Sequence, residues 1–311
     1  VGFARRIAGG ALVAGAAAVA ATRLLRARPP VLPAPPPGMP RRWPWRHADL
    51  FATARGAGPP ALLLHDLYTG AGGHEMAELG DRLEGMFTVH TIDLPGFGRS
   101  GKPRLRYGPD LFIDAIVEFV RHAIDAPTVL VGSGLSAAYA VEAGARLGNL
   151  AAAVVLLGPP EPRGTEMLAS PTVRPVLYQI LRSPFGELYH HVHAITPWRR
   201  QALRSFLAAP PADLDERAED LHRYASQPGA EWALWSLWSG DLGWDPRPAL
   251  ALLGAPALVL WGAETRANPA APETYRAVRP DLDQRVLPGT ARWPHLDDPD
   301  AVAEAIVGWR S

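Results

Sequence analysis

The chain has 311 residues, enough to bury a large core, and its 31 basic and 31 acidic residues balance, which argues against nucleic-acid binding. It has no cysteine, so disulfides, thiolate nucleophiles and cysteine-held metals are excluded. Residues 1–46 hold eight arginines and no acid, leaving the remainder with an excess of eight acidic residues.

Arg5 and Arg6 precede an uncharged apolar run from Ile7 to Thr22, which Arg23, Arg26 and Arg28 close. At 1.5 Å per residue the run spans roughly 24 Å, short of a hydrocarbon core of ~30 Å, unless Leu24 and Leu25 join it and the arginines snorkel. Residues 1–28 are therefore expected to be a membrane anchor with lipids as partner. The alternatives are a signal segment with Ala18-Val19-Ala20 as its cleavage site, giving an exported protein, and a soluble helix. Residues 29–46 follow, with eight prolines between 29 and 44. Proline fixes φ and lacks an amide donor, so this stretch is expected to be an extended linker, ~3.1 Å per residue and up to about 50 Å long.

From there strands and helices alternate. Apolar strands are expected at 61–65, 86–92, 128–132, 151–157, 257–261 and 284–287. Helices are expected at 74–84, 110–124, 135–147, 270–278 and 300–309. This alternation predicts an α/β fold, a mostly parallel sheet covered by helices on both faces. Residues 161–245 break it. They are helical in pattern and rich in Trp and His, and are expected to form a cap inserted into a core made of 47–160 and 246–311. Trp232, Trp235 and Trp238 recur every three residues on one helix face. They predict packing of cap on core, with an aromatic wall for an apolar ligand and a membrane or partner contact as alternatives. His190, His191 and His193 look like a metal cluster, but only His190 and His193 share a face and no carboxylate follows at ligand spacing. No metal or other cofactor is expected.

Several segments then bring a family into view. Leu62-Leu63-Leu64-His65-Asp66 resembles the strand and His-Gly segment that open the α/β-hydrolase core. Asp93-Leu94-Pro95-Gly96-Phe97-Gly98-Arg99-Ser100 resembles the Asp-x-Pro-Gly-x-Gly-x-Ser loop of its epoxide hydrolase and haloalkane dehalogenase branch. Gly132-Ser133-Gly134-Leu135-Ser136 sits where the nucleophile elbow belongs. Leu258-Val259-Leu260-Trp261-Gly262 resembles the strand before the acid loop, and Trp293-Pro294-His295-Leu296-Asp297-Asp298-Pro299 the segment after the catalytic His. The resemblance covers about residues 48–310.

It implies a catalytic triad, and the three positions are occupied by other residues. Gly134 stands at the nucleophile position of Gly-x-Nucleophile-x-Gly. Thr265 stands at the acid position, with Glu264 one residue early. Arg292 stands at the base position, and a guanidinium that stays protonated cannot be a general base. Asp66 replaces the Gly of the His-Gly segment, beside the oxyanion-hole amides expected from Leu67 and Leu135. Asp66 and Arg292 either meet there as a buried ion pair or point apart into solvent.

The anchor, the linker and the degenerate triad together predict a membrane-tethered pseudoenzyme acting as a structural or interaction subunit, with a larger membrane complex as its candidate partner. Two alternatives remain. One is a binder of a lipid or small apolar ligand between cap and core. The other is a serine hydrolase, an esterase or a related enzyme, with a non-standard set drawn from Ser133, Ser136, Glu161 and His295.

Overall fold

The computed structural model describes residues 29–161, 170, 172–265 and 270–310, together with Ala20. Eight strands form one sheet: β1 (Met39–Trp43), β2 (Leu50–Arg55), β3 (Pro60–Leu64), β4 (Thr88–Ile92), β5 (Thr128–Ser133), β6 (Ala151–Leu157), β7 (Ala257–Gly262) and β8 (Asp283–Leu287). Their order is β1-β2-β4-β3-β5-β6-β7-β8. The β1/β2 and β2/β4 pairs are antiparallel, and every pair from β4/β3 to β7/β8 is parallel. The central strands read as continuous apolar runs because both faces are covered. Successive residues alternate between two cores. Leu62, Leu130, Val154 and Val259 face helices α2 (Pro109–Phe119) and α3 (Leu135–Leu147). Leu63, Val131, Val155 and Leu260 face α1 (Ala77–Leu83) and the C-terminal α12 (Pro299–Arg310).

Between β6 and β7 lie α4 (Arg174–Leu181), α5 (Pro184–Ala194), α6 (Thr196–Phe206), α7 (Leu214–Ala225), α8 (Ala230–Trp238) and α9 (Arg247–Leu252). After β7 come α10 (Ala271–Val278), β8 and the short α11 (Pro294–Asp297). The tryptophan stripe on α8 is used mainly in packing among these helices. Trp235 is fully buried against Tyr178 and Leu181. Trp232 meets Trp235 edge to face at 4.6 Å, and Trp238 packs on the rings of Tyr189, His190 and His193.

Two expectations are corrected here. Residues 29–46 are not a free linker. Met39–Trp43 forms β1, Arg99 donates to Pro33 O, and Gln227 Nε2 donates to Pro30 O at 2.8 Å. β1 offers no alternating apolar pattern in the sequence, because Met39, Pro40, Arg41 and Arg42 are all exposed, as an edge strand tolerates. Membrane tethering through a transmembrane helix is also withdrawn. No helix among the described residues is long and apolar enough to cross a membrane. The expected anchor, residues 1–28, lies outside the described residues apart from Ala20.

Candidate active site

The C-terminal ends of β3, β5, β6, β7 and β8 converge on one side of the sheet, where the loops that follow them meet. In open α/β sheets this is where ligands bind. After β5 the chain turns sharply into α3 through Gly134, whose φ of +54° and ψ of −125° are strained for any residue with a side chain. Gly134 stands at this turn, and its missing side chain leaves a volume at the head of α3.

Asp66 fills that volume. A Cβ added to Gly134 would fall inside the van der Waals shell of all three carboxylate atoms of Asp66. The carboxylate is 1% exposed and held by donors from three loops. Oδ1 accepts from the backbone amides of Leu67 at 2.7 Å and Leu135 at 2.8 Å. These are the two amides expected to form the oxyanion hole, so an oxygen of the protein's own side chain lies in it. Oδ2 accepts from Trp293 Nε1 at 2.9 Å, and Arg292 Nη2 stands 3.6 Å away. Of the two arrangements open for Asp66 and Arg292, the structure has the ion pair. The guanidinium is 41% exposed and lies over the ring of Phe206 on α6, 5.1 Å from its centroid. The pair thus joins a buried anion to a solvent-facing cation.

Residues behind Asp66 fix its loop. His65 Nε2 accepts from Leu94 N at 2.9 Å, so Nδ1 carries the proton and donates to Asp66 O at 2.7 Å. Burial lowers the pKa of His65, which keeps this neutral tautomer. Asp66 N donates to Glu75 Oε1. Burial, and then the Asp66 charge, hold the Glu75 carboxyl well above the ordinary carboxylate range. Tyr68 lies on Trp293 with centroids 4.6 Å apart, and Phe206 packs on the same indole at 4.8 Å. Glu75, Trp293 and Phe206 were missed as site residues. Trp293 offered the best signal, since it lies next to Arg292 within the matched segment.

The fallback candidates are distributed unequally. Ser136 is fully buried, and its hydroxyl is directed at Ser133 O and Leu64 O, 2.9 and 3.1 Å away, inside the base of the elbow. Ser133 Oγ is buried with no hydrogen-bond partner among the described residues. His295 is fully buried on α11, and neither ring nitrogen has a hydrogen-bond partner among the described residues. Thr265 and Arg292 line both of two neighbouring cavities. One, about 360 Å³, also has Arg204, Phe206 and Glu264; the other, about 230 Å³, has Glu161, Pro160 and Trp261. Glu161 therefore faces the approach to the site from the loop after β6. Trp232, Trp235 and Trp238 line neither cavity.

His295 also makes a testable contribution to stability. Burial lowers its pKa from 6.5 to about 3, against a smaller upward pull from Asp66. The unfolded chain therefore binds this proton first as pH falls. The stability is fully present above pH 6.5 and is lost towards pH 3, at up to about 1.4 kcal/mol per pH unit. Urea midpoints measured between pH 7 and 4 should fall with pH. The slope should be shallower in His295→Phe; an unchanged slope would show that His295 does not contribute.

A parallel sheet with an elbow after its central strand, paired amides beside it and further site loops after β6, β7 and β8 defines an α/β hydrolase. The chain belongs to the alpha/beta hydrolase family, whose model matches residues 61–305. It is 26% identical over 262 residues to 2-(acetamidomethylene)succinate hydrolase of Mesorhizobium japonicum, covering 82% of this chain and 89% of that protein. It is 27% identical over 255 residues to the pimeloyl-[acyl-carrier protein] methyl ester esterase of Stenotrophomonas maltophilia, covering 81% and 92%. Its fold matches a crystal structure of a serine hydrolase involved in carbazole degradation, with a TM-score of 0.71 and 17% identity over 88% of this chain and 98% of the other.

These relatives correct the expectation of a pseudoenzyme serving as a structural subunit of a membrane complex. They are hydrolases by name, and the site position vacated by the elbow side chain is occupied by a carboxylate. The inclination against enzymatic activity is withdrawn with it.

Proposed function

We propose that this chain is a hydrolase of acyl esters or amides whose nucleophile is the carboxylate of Asp66 in place of an elbow serine. The observation that carries this is the position of that carboxylate, inside the volume of the missing residue 134 side chain and on the Leu67 and Leu135 amides. In this reading Oδ2 attacks the substrate carbonyl carbon and the bond to the leaving oxygen or nitrogen breaks, forming a mixed anhydride, while the alcohol or amine departs with a proton drawn from solvent water. Arg292 and Trp293 Nε1 face the charge developing on the substrate oxygen. Water then adds to Cγ of Asp66. The negative charge collects on Oδ1, already within reach of two amide donors, and collapse of the adduct releases the acid and regenerates the carboxylate. The lowered pKa of His295 keeps it neutral, and its ring nitrogens, unpartnered among the described residues, can accept the water's proton and return it to solvent. Arg204 and Arg292 in the approach cavity favour a substrate bearing a carboxylate near the scissile bond, which is consistent with the succinate in the name of one relative's substrate.

A serine route rests on Ser133, whose hydroxyl is unpartnered among the described residues at the end of β5. Two measurements separate the routes. Turnover of a panel of methyl esters and N-acyl amides of short dicarboxylates in ¹⁸O water should place label in the Asp66 peptide, read by mass spectrometry. A fluorophosphonate should leave the protein unmodified. Stoichiometric phosphonylation lost in Ser133→Ala would establish the serine route, and failure to hydrolyse any panel member would reject the assigned reaction.

A further inference from the structure

Away from this site, the loop between β4 and α2 meets α4 and α8 around a further cavity of about 400 Å³. Its walls include Arg104, Leu105, Arg106, Tyr178, Arg182 and Trp232. The three guanidiniums are not equivalent. Arg106 is neutralised by Asp241 through two hydrogen bonds of 2.8 and 2.7 Å. Arg104 and Arg182 have no ion-pair partner among the described residues. They rest on aromatic faces instead. Arg104 Cζ lies 4.6 Å from the Trp232 centroid, and Arg182 Cζ lies 5.8 Å from that of Tyr178, which Arg106 also covers at 5.0 Å.

The rings are themselves fixed. Tyr178 is buried and donates its hydroxyl proton to Leu105 O at 3.2 Å. Trp232 is braced edge to face by the fully buried Trp235. A guanidinium held over a ring face by cation–π attraction keeps N–H donors available when an anion binds. Two positive charges at one cavity thus have no ion-pair partner among the described residues. Their planar forks match the oxygen geometry of a phosphoryl group.

We propose that this cavity binds a phosphate dianion, either free phosphate or the phosphoryl group of a small organic molecule. The site is separate from Asp66 and does not depend on the reaction assigned there. Calorimetry on the full chain at constant ionic strength tests it, with inorganic phosphate and phenyl phosphate as probes. Saturable binding of at least one probe is expected. Arg104→Ala and Arg182→Ala should each weaken it about 10-fold, the scale of a lost charge-assisted hydrogen-bond pair. Arg121→Ala, an exposed change elsewhere, should leave it intact. Equal affinities would identify a site for free phosphate, and a preference for phenyl phosphate a site for a phosphorylated ligand. Absence of saturable binding, binding that survives the Arg104→Ala/Arg182→Ala double change, or equal weakening by Arg121→Ala would each overturn the proposal.

Discussion

Asp66→Asn should lower kcat on any substrate found for the protein by about 10⁶-fold, the scale seen when a nucleophile is removed and only binding and the oxyanion-stabilising donors remain. Asn is nearly isosteric, and its oxygen can still accept from the Leu67 and Leu135 amides. Its NH2 would then face Trp293 Nε1 and Arg292, donor against donor. The cost in stability should be about 1–3 kcal/mol, so the variant should remain folded. Asp66→Ala leaves the Leu67 and Leu135 amides and Trp293 Nε1 without their acceptor while Arg292 stays hydrated, and should cost about 3–5 kcal/mol, the sum of several unsatisfied buried donors. Comparing kcat with urea unfolding for both variants separates chemistry from support. Full activity in Asp66→Asn would reduce Asp66 to a brace.

Gly134→Ser restores a hydroxyl to the family's nucleophile position, yet it should yield an inactive and strongly destabilised protein. The new Cβ has no room beside the Asp66 carboxylate, and the residue would be held at φ +54°. Overpacking and backbone strain together should cost at least about 3 kcal/mol. Asp66→Gly/Gly134→Ser should recover part of that loss, because removing the carboxylate frees the space that the serine needs. A double-mutant cycle on urea midpoints should give a coupling of about 1–3 kcal/mol, the range for residues in contact. Additive single effects would mean that the two side chains do not compete for one volume.

This coupling also shows where sequence reasoning stopped. The strands from 61 to 287 and the helices between them were legible because apolar runs and periodicity follow directly from burial on both faces of a parallel sheet. β1 and β2 were not, since they pair antiparallel at one edge and β1 is mostly exposed and carries Pro40. At the site, Gly134 and Asp66 were each recognised as departures from a family pattern and counted as separate defects. In space they are complementary, with one residue giving up a side chain and another filling its place. No periodicity reveals that exchange, because Asp66 and its donor Leu135 are 69 residues apart and meet only when β3 and β5 pair. The partnership of Asp66 with Arg292 was foreseeable as one of two options, but Trp293 as a third party was not.

The fastening of the proline-rich stretch has a further consequence. Pro29 lies with His190, His191 and Gln227 at the wall of a small surface cavity on the cap, and Pro30 is held by Gln227. The position of Pro29 is therefore fixed on the flank formed by α5 and α7. A fluorescent label or fusion partner joined ahead of residue 29 would start beside α5 and α7, its distance set by its own length. The proline run acts less as a leash than as a sewn-down hem, and it determines which face of the domain such an attachment would crowd.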